Sequence, residues 1–294
     1  MTQEELAEQF EEHRSHLRSV AYRMLGSSAE ADDAVQEAWL RLARSDTSEV
    51  ASLRAWLTTV VSRVCLDQLR VRKSRREDSL DVRVPDPVVT RLDADPEAAA
   101  EQADAVSLAL LVVLEALPPR ERTAFVLHDM FGVPFDEIGQ IVGRSAATAT
   151  QLASRARRRV REAAPVSADL PTQRRVLDAF VAASQRGDFD ALMQVLDPDV
   201  TLRADLGAAG ESRVIHGAAV VAGQSLLYAR LARESVPVLV NGHVGLVSVV
   251  DGNVVSVFSP EIRNGRIVEI NVVADPDRIA RLDIHLPRED APGA

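Results

Sequence analysis

A single cysteine, Cys65, stands among 294 residues, so no disulfide can close within the chain and no cysteine-based zinc site can form. That scarcity fits a reducing compartment, and the chain is expected in the cytoplasm. No run of 18 apolar residues occurs, which excludes a membrane-spanning helix. The N-terminus, MTQEELAEQFEEH, is acidic and has no apolar core, so it does not read as a signal peptide. Lysine is nearly absent: Lys73 is the only one among 34 basic side chains. The length fits two or three domains, each able to bury its own core. The net charge of -10 argues against a general nucleic-acid binder, but the average hides segregation. Residues 63–76 carry six basic groups and one acid, residues 77–105 nine acids and two arginines, and residues 155–161 five arginines. An acidic protein with local basic patches can still grip phosphates there.

The most informative stretch runs from Phe135 to Arg161. Phe135, Ile138, Ile141 and Val142 share a helical face. Gly143 is placed to leave that helix left-handed, and Ser145 to cap the next. Ala149, Leu152, Ala153 and Ala156 line the second helix inwardly. Its other face offers Thr148, Thr150, Gln151, Ser154 and Arg155, then Arg157, Arg158, Arg159 and Arg161. Small polar groups early and arginines late suit a helix lying in a DNA major groove. The alternative is an αα-hairpin with a solvated basic face.

Upstream, residues 1–76 predict three helices: Phe10 to Leu25, Ala29 to Arg44, and Leu53 to about Arg72, which together make a bundle. The second shows Asp32, Asp33, Gln36, Glu37 and Arg41, with Val35, Trp39 and Leu40 as apolar anchors beside them. Trp39 could equally pack in the core. Arg63, Arg70, Arg72, Lys73, Arg75 and Arg76 crowd the end of the third. Trp56 opens that helix on its apolar stripe, with stacking on a flipped base as its other role.

DDAVQEAWLRL resembles the segment of sigma factor domain 2 that binds the clamp helices of RNA polymerase. LRAWLTTVVSRVCLDQLRVRKSRR resembles the following region, which melts and reads the minus-10 element, although Val64 stands where the family often has Asn. ALPPRERTAFVLHDMFGVPFDEIG and the helical pair after it resemble sigma domain 4, although Thr150 stands where a basic residue is common. The chain is similar to the extracytoplasmic-function group of sigma-70-like factors. The resemblance implies that Asp32, Asp33, Val35, Gln36, Glu37, Trp39, Leu40 and Arg41 bind core polymerase. It implies that Trp56, Arg63, Arg70, Arg72, Lys73, Arg75 and Arg76 hold minus-10 DNA. It assigns minus-35 DNA to Arg144, Ser145, Thr148, Thr150, Gln151, Ser154, Arg155, Arg158 and Arg159. Gln151 and Arg155 are the base-edge candidates by chemistry.

Residues 77–105, with Pro85, Pro87 and Pro96, read as an extended acidic linker with a helix starting near Pro96. VPDPVV is more apolar than a spacer needs and is expected to dock on another domain. Residues 170–294 change texture. Helices are expected over Thr172 to Arg186, Asp188 to Leu196 and Ala218 to Arg233, with a strand over Val200 to Ala204. Then four strands alternate with Asn241-Gly242, Asp251-Gly252 and Asn264-Gly265, which are hairpin signals, so an antiparallel meander is expected. This part resembles the SnoaL-like domain, with the nuclear-transport-factor-like fold. Three family motifs have counterparts: Pro85-Asp86-Pro87 in the linker, Asp205-Leu206-Gly207 without a following lysine, and Asp275-Pro276-Asp277-Arg278-Ile279. The resemblance makes Pro85, Asp86, Pro87, Asp205, Gly207, Asp275, Pro276 and Asp277 candidates for regulation in cis. Asp205, His216 and His243 are the acids and imidazoles that could serve catalysis in such a cone, and each also reads as a turn or strand-end residue.

The expected architecture is multidomain: two all-α domains, a three-helix bundle (1–76) and a helix-turn-helix domain (106–165), joined by the linker (77–105), then an α+β cone (170–294). The expected function is a sigma factor that binds core RNA polymerase and promoter DNA, regulated in cis by the cone. No enzymatic activity, cofactor, metal or membrane is expected. A small-molecule ligand in the cone and a separate anti-sigma partner stay open. The alternatives are a ligand-sensing helix-turn-helix regulator, or an isomerase or cyclase with a DNA-binding adaptor.

Overall fold

The computed structural model describes residues 3–45, 50, 52–76, 83–92, 106–163, 168–207, 210, 212–228, 234–282 and 284; the side chains of residues 3, 4, 75 and 76 lie outside that description. The chain forms two compact units, residues 1–80 with 111–164, and residues 81–110 with 165–294.

In the first unit, α1 (Gln3–Leu25), α2 (Ser28–Leu42) and α3 (Leu53–Arg76) make the expected bundle. Leu17, Val20, Met24, Ala31, Ala38, Leu57, Val61 and Leu66 are buried in it. Gly26 turns left-handed (φ 67°) to end α1, and Ser27 caps α2. The third helix runs to Arg76, one turn beyond the expected end near Arg72. After α4 (Leu108–Glu115) come α5 (Pro119–Phe125), a π-helical turn (Val126–Met130), α6 (Phe135–Val142) and α7 (Ala146–Ala163). Gly143 (φ 66°) closes α6, and the Ser145 hydroxyl accepts from the Thr148 amide at 3.3 Å, as the sequence led us to expect. Gly139 was not anticipated. A Cβ there would come within 2.8 Å of the Arg144 carbonyl oxygen, so only glycine admits the tight turn between the helices.

His16 on α1 packs edge-on to Phe131, with ring centroids 5.4 Å apart. Arg54 donates to its Nδ1 (3.3 Å), and its Nε2 lies 3.2 Å from the Thr58 hydroxyl. Burial, aided by Arg54, His13 and Arg23, lowers its pKa from 6.5 to about 4. The folded unit therefore keeps a neutral imidazole, while the unfolded chain protonates below pH 6.5. The His16 contribution to stability is complete above pH 6.5 and is lost as pH falls toward 4. Urea midpoints at pH 7 and pH 5 measure this, and a His16→Gln chain is expected to show a smaller acid loss. An unchanged slope would remove His16 as its source. Burial likewise raises the pKa of the Cys65 thiol, which keeps it protonated and inert.

In the second unit, α8 (Leu170–Arg186) and α9 (Phe189–Val195) precede a seven-stranded sheet ordered β1-β4-β5-β6-β7-β2-β3. The strands are β1 (Val89–Thr90), β2 (Leu196–Asp205), β3 (Arg213–His216), β4 (Ser235–Val240), β5 (His243–Val250), β6 (Asn253–Arg263) and β7 (Arg266–Val273). The meander β4 to β7 is as expected, with Asn241, Asp251 and Asn264 at φ near 50° in its two-residue turns. Register shifts at Ser248/Val249 and Glu261/Ile262 mark bulges that curve the sheet. Four features correct the sequence reading. Strand β2 starts at Leu196, earlier than expected, and pairs parallel to β7. Strand β3 was missed: it is four residues long and mostly exposed, so no alternation marks it. The helix at 218 is α10 (Ala218–Leu227), ending before Arg233. The linker supplies β1, paired antiparallel to β4. The helix expected near Pro96 lies outside the described residues. A short α11 (Pro276–Ile279) follows the sheet.

Candidate functional site

Helix α2 carries Asp32, Asp33, Gln36, Leu40 and Arg41 on its exposed face. Asp32 pairs with Arg18 (2.7 Å) and Glu37 with Arg41 (2.9 Å). These exposed pairs hold the acids in place at little energy and exchange readily for a partner's charges. Leu40 is 41% exposed, an apolar tip inside a charged patch. Trp39 divides its roles: its ring packs on Phe10 (centroids 5.2 Å) and it stays half-buried. Val35 is corrected. It is 1% exposed and belongs to the bundle core, where it supports the patch from beneath.

On α3, Arg63, Arg70 and Lys73 are exposed, with Arg70 paired to Asp67 at 2.9 Å. Arg63 also reaches the Gln140 carbonyl at 3.5 Å. Trp56 is half-buried, and Val64 packs inward. Arg75 and Arg76 have side chains outside the described residues. Arg72 departs from the expectation of a phosphate ligand. It is ion-paired with Glu30 and Glu115 and donates to the Leu25 carbonyl (2.9 Å). Glu115 also accepts from Arg122, which is 1% exposed and donates to the Arg23 carbonyl. Helices α3, α4 and α5 are thus joined by one buried charge network. In this arrangement Arg72 is engaged and not open to phosphate.

Helix α7 leaves Gln151, Ser154, Arg155 and Arg158 exposed at helical spacing, one continuous polar face. Its buried side is Ala149, Ala153 and Ala156, small enough for close packing. Ser145 and Thr148 share a hydroxyl contact of 3.0 Å, and Thr150 donates to the Ala146 carbonyl. Arg144 donates to the Gly143 carbonyl. Arg159 is paired with Glu121 (2.8 Å), and Arg157 with Asp129, so both brace the helix against its own unit.

In the second unit the linker is held at two points. At the first, the Arg278 guanidinium binds Asp86 through Nε (3.0 Å) and a terminal nitrogen, pairs with Asp205, and donates to the Val84 carbonyl (2.6 Å). Asp205 returns the bond by accepting from the Val84 amide at 3.2 Å. Val84, Pro85, Asp86 and Pro87 are all buried. Asp275 caps α11 through the amides of Asp277 and Arg278, which aims Arg278 at the linker. Gly207 (φ 57°) lies against Asp275, so closely that any Cβ would overlap the carboxylate. Pro276 and Asp277 are exposed and touch nothing in the linker that the structure records. At the second point, Asn241 accepts from the Val88 amide (3.0 Å), donates its own amide to the Val88 carbonyl (2.8 Å) and its side-chain nitrogen to the Val106 carbonyl (3.1 Å). Sequence reasoning missed Asn241 because its Asn-Gly turn already explained it. It noted Arg278 only as part of a motif.

The cone encloses a cavity of about 320 Å3. None of the catalytic candidates lines it. Asp205 belongs to the linker contact, and His216 is exposed beside Thr201 (3.1 Å). His243 accepts from Gln173, which also accepts from the Val244 amide, and burial lowers its pKa. Among the described residues no group of side chains could hold a metal ion, and no helix is long and apolar enough to cross a membrane.

A bundle with an acidic, apolar-tipped face followed by a helix-turn-helix defines a transcription initiation factor of the sigma-70 class. Sigma-70 region 2 matches residues 9–76, and Sigma-70, region 4 matches residues 107–160. The chain is 43% identical over 289 residues to the ECF RNA polymerase sigma factor SigJ of Mycobacterium tuberculosis, covering 92% of each. It is 36% identical to the probable ECF RNA polymerase sigma factor SigI of the same organism, covering 93% of this chain and 94% of that one. The crystal structure of M. tuberculosis SigJ superposes with a TM-score of 0.75 at 39% identity, over 95% of this chain and 100% of that one. The chain belongs to the extracytoplasmic-function (ECF) family of RNA polymerase sigma factors. It works with RNA polymerase in promoter-directed transcription initiation and is not an enzyme.

Proposed function

We propose that the exposed face of α2 docks on core polymerase, that α3 and α7 hold minus-10 and minus-35 DNA, and that the C-terminal cone restrains the linker in cis. The functional divisions are residues 1–76, 77–105, 106–165 and 170–294. The observation that carries the regulatory part is the linker's capture by Arg278, Asp205 and Asn241. A segment used as an extra strand of one domain is not free to thread a partner. The DNA assignments rest on exposure and chemistry: Gln151 and Arg155 can reach base edges, while Arg158 and Lys73 can neutralise phosphates.

Transcription with purified core polymerase tests the reading. The full chain is compared with Asn241→Ala and with a chain ending at Ala168, on promoters taken from run-off mapping. Defined start sites are expected with all three, at different yields. Equal yields would remove the restraint in cis. Start sites that persist with an α7 carrying Gln151→Ala and Arg155→Ala would remove the minus-35 assignment.

A further inference from the structure

We propose that the cavity inside the cone binds an apolar molecule with a single carboxylate, and that its occupancy tightens the hold on the linker. The second half rests on the restraint in cis proposed above. The size of the cavity, about 320 Å3, falls in the range of small-molecule sites. Its walls are mainly apolar; Phe180 and Phe258 stack within them at 5.5 Å between centroids. A cavity walled in this way is stabilised by an apolar guest, because the wall atoms otherwise lack contact partners. Its polar lining, among the described residues, is five serines, Gln224, Tyr228 and Arg213. Ser184 lines it, is 2% exposed, and its hydroxyl has no hydrogen-bond partner. The Ser184 oxygen has no accessible surface and so does not face the cavity; the guest is selected by the walls and by the mouth.

Charge defines the head group. Among the described residues lining the cavity, Arg213 is the one that carries a charge, and no carboxylate or imidazole is among them. It is exposed, and it donates to the hydroxyl of Tyr228, which is 49% exposed. The two therefore mark the solvent side of the site. One guanidinium beside a phenol suits a single carboxylate, taken by charge-assisted hydrogen bonds. The uncharged interior takes the tail. With no general base among the described lining residues, the site is read as one that retains its ligand rather than transforming it.

The coupling follows from the two-residue period of a strand. Ala204 and Leu206 line the cavity, and Asp205 between them faces the opposite side, where it holds Val84 and Arg278. On the neighbouring segment Val272 and Ala274 line the cavity, and Asp275 follows as the cap that aims Arg278. The Ala274 amide is bonded to the Asp205 carbonyl at 2.8 Å. A guest against these walls fixes the same backbone that carries both carboxylates, so it favours the state in which the linker is held.

The test uses the full chain with dodecanoate, dodecanol and dodecylammonium, each below its micellar concentration. Calorimetry is expected to show one saturable site, with dodecanoate bound at least about tenfold more tightly than dodecylammonium. Arg213→Gln should abolish that preference and keep dodecanol binding. Ser256→Phe, which fills the cavity, should abolish all binding. Hydrogen exchange at the Val84 and Val88 amides should slow with dodecanoate. Absent binding, or equal binding to a folded Ser256→Phe chain, overturns the site. Should Ser256→Phe not fold, an unchanged preference in Arg213→Gln overturns it instead. Binding without slower exchange at Val84 overturns the coupling. The transcription comparison with Asn241→Ala is made without ligand, so failure there is separate.

Discussion

Replacing Arg278 by alanine is expected to release residues 83–92 from the cone. The side chains of Asp86 and Asp205 are 10% and 8% exposed, and Arg278 neutralises both. Without it two carboxylates face each other in a poorly solvated site, and the Val84 carbonyl loses its donor. Removing one partner from a buried ion pair costs about 3–5 kcal/mol, most of it the penalty of the stranded charge. Amide exchange at Val84 and Val88 measures the result, and both should approach the rate of an unstructured segment. Arg278→Lys should recover part of the loss: it restores charge, but a single ammonium cannot serve Asp86, Asp205 and a carbonyl from one planar fork. Adding Asp86→Asn and Asp205→Asn to Arg278→Met should recover more, since no buried charge then remains. If Arg278→Ala leaves Val84 exchange unchanged, the linker is held by Asp205, β1 and Asn241 without Arg278.

The second large effect is expected at Glu115. One of its oxygens accepts from Arg122 at 2.9 Å and from Arg72 at 3.2 Å, with its own side chain 8% exposed. Glu115→Ala leaves two guanidinium groups close together without the carboxylate between them. Arg72 keeps Glu30, but Arg122 keeps only a carbonyl contact among those described here. A loss of about 3–5 kcal/mol in the first unit follows by the same reasoning, read as a lower urea midpoint with unchanged slope. Glu115→Gln should cost less, because the amide oxygen still accepts. The pair also separates two roles of Arg72. If Arg72 serves DNA only after leaving this network, Glu115→Gln should raise affinity for single-stranded minus-10 DNA while lowering stability. Loss of both would mark Arg72 as purely structural.

The helix-turn-helix was legible because its signals are local. Gly143 and Ser145 sit where a left-handed exit and an N-cap must sit, and the alanines of α7 repeat with the helix. The three Asn-Gly and Asp-Gly turns announced the meander in the same way. What stayed hidden joins distant parts of the chain. Arg278 and Asp86 are 192 positions apart, and no period or spacing reports such a meeting. The parallel pairing of β2 with β7 has no turn to announce it. Arg72 shows the other limit. A run of basic residues identifies a charged helix end, but Glu30 and Glu115 decide which of those charges are free. Val35 fits the helical stripe and the polymerase patch equally well in sequence; burial assigns it to the stripe.

The linker's place at the sheet edge gives its restraint a direction. Strand β1 pairs Val89 with Val240 and Thr90 with Leu239, Val89 also bridges in parallel to Ile284, and Pro85 and Pro87 upstream have no amide to lengthen the ladder. Tension along the strand would shear both pairs at once. Tension away from the sheet would peel them singly, beginning at one end. The force needed for release therefore depends on the angle from which a partner draws the linker out.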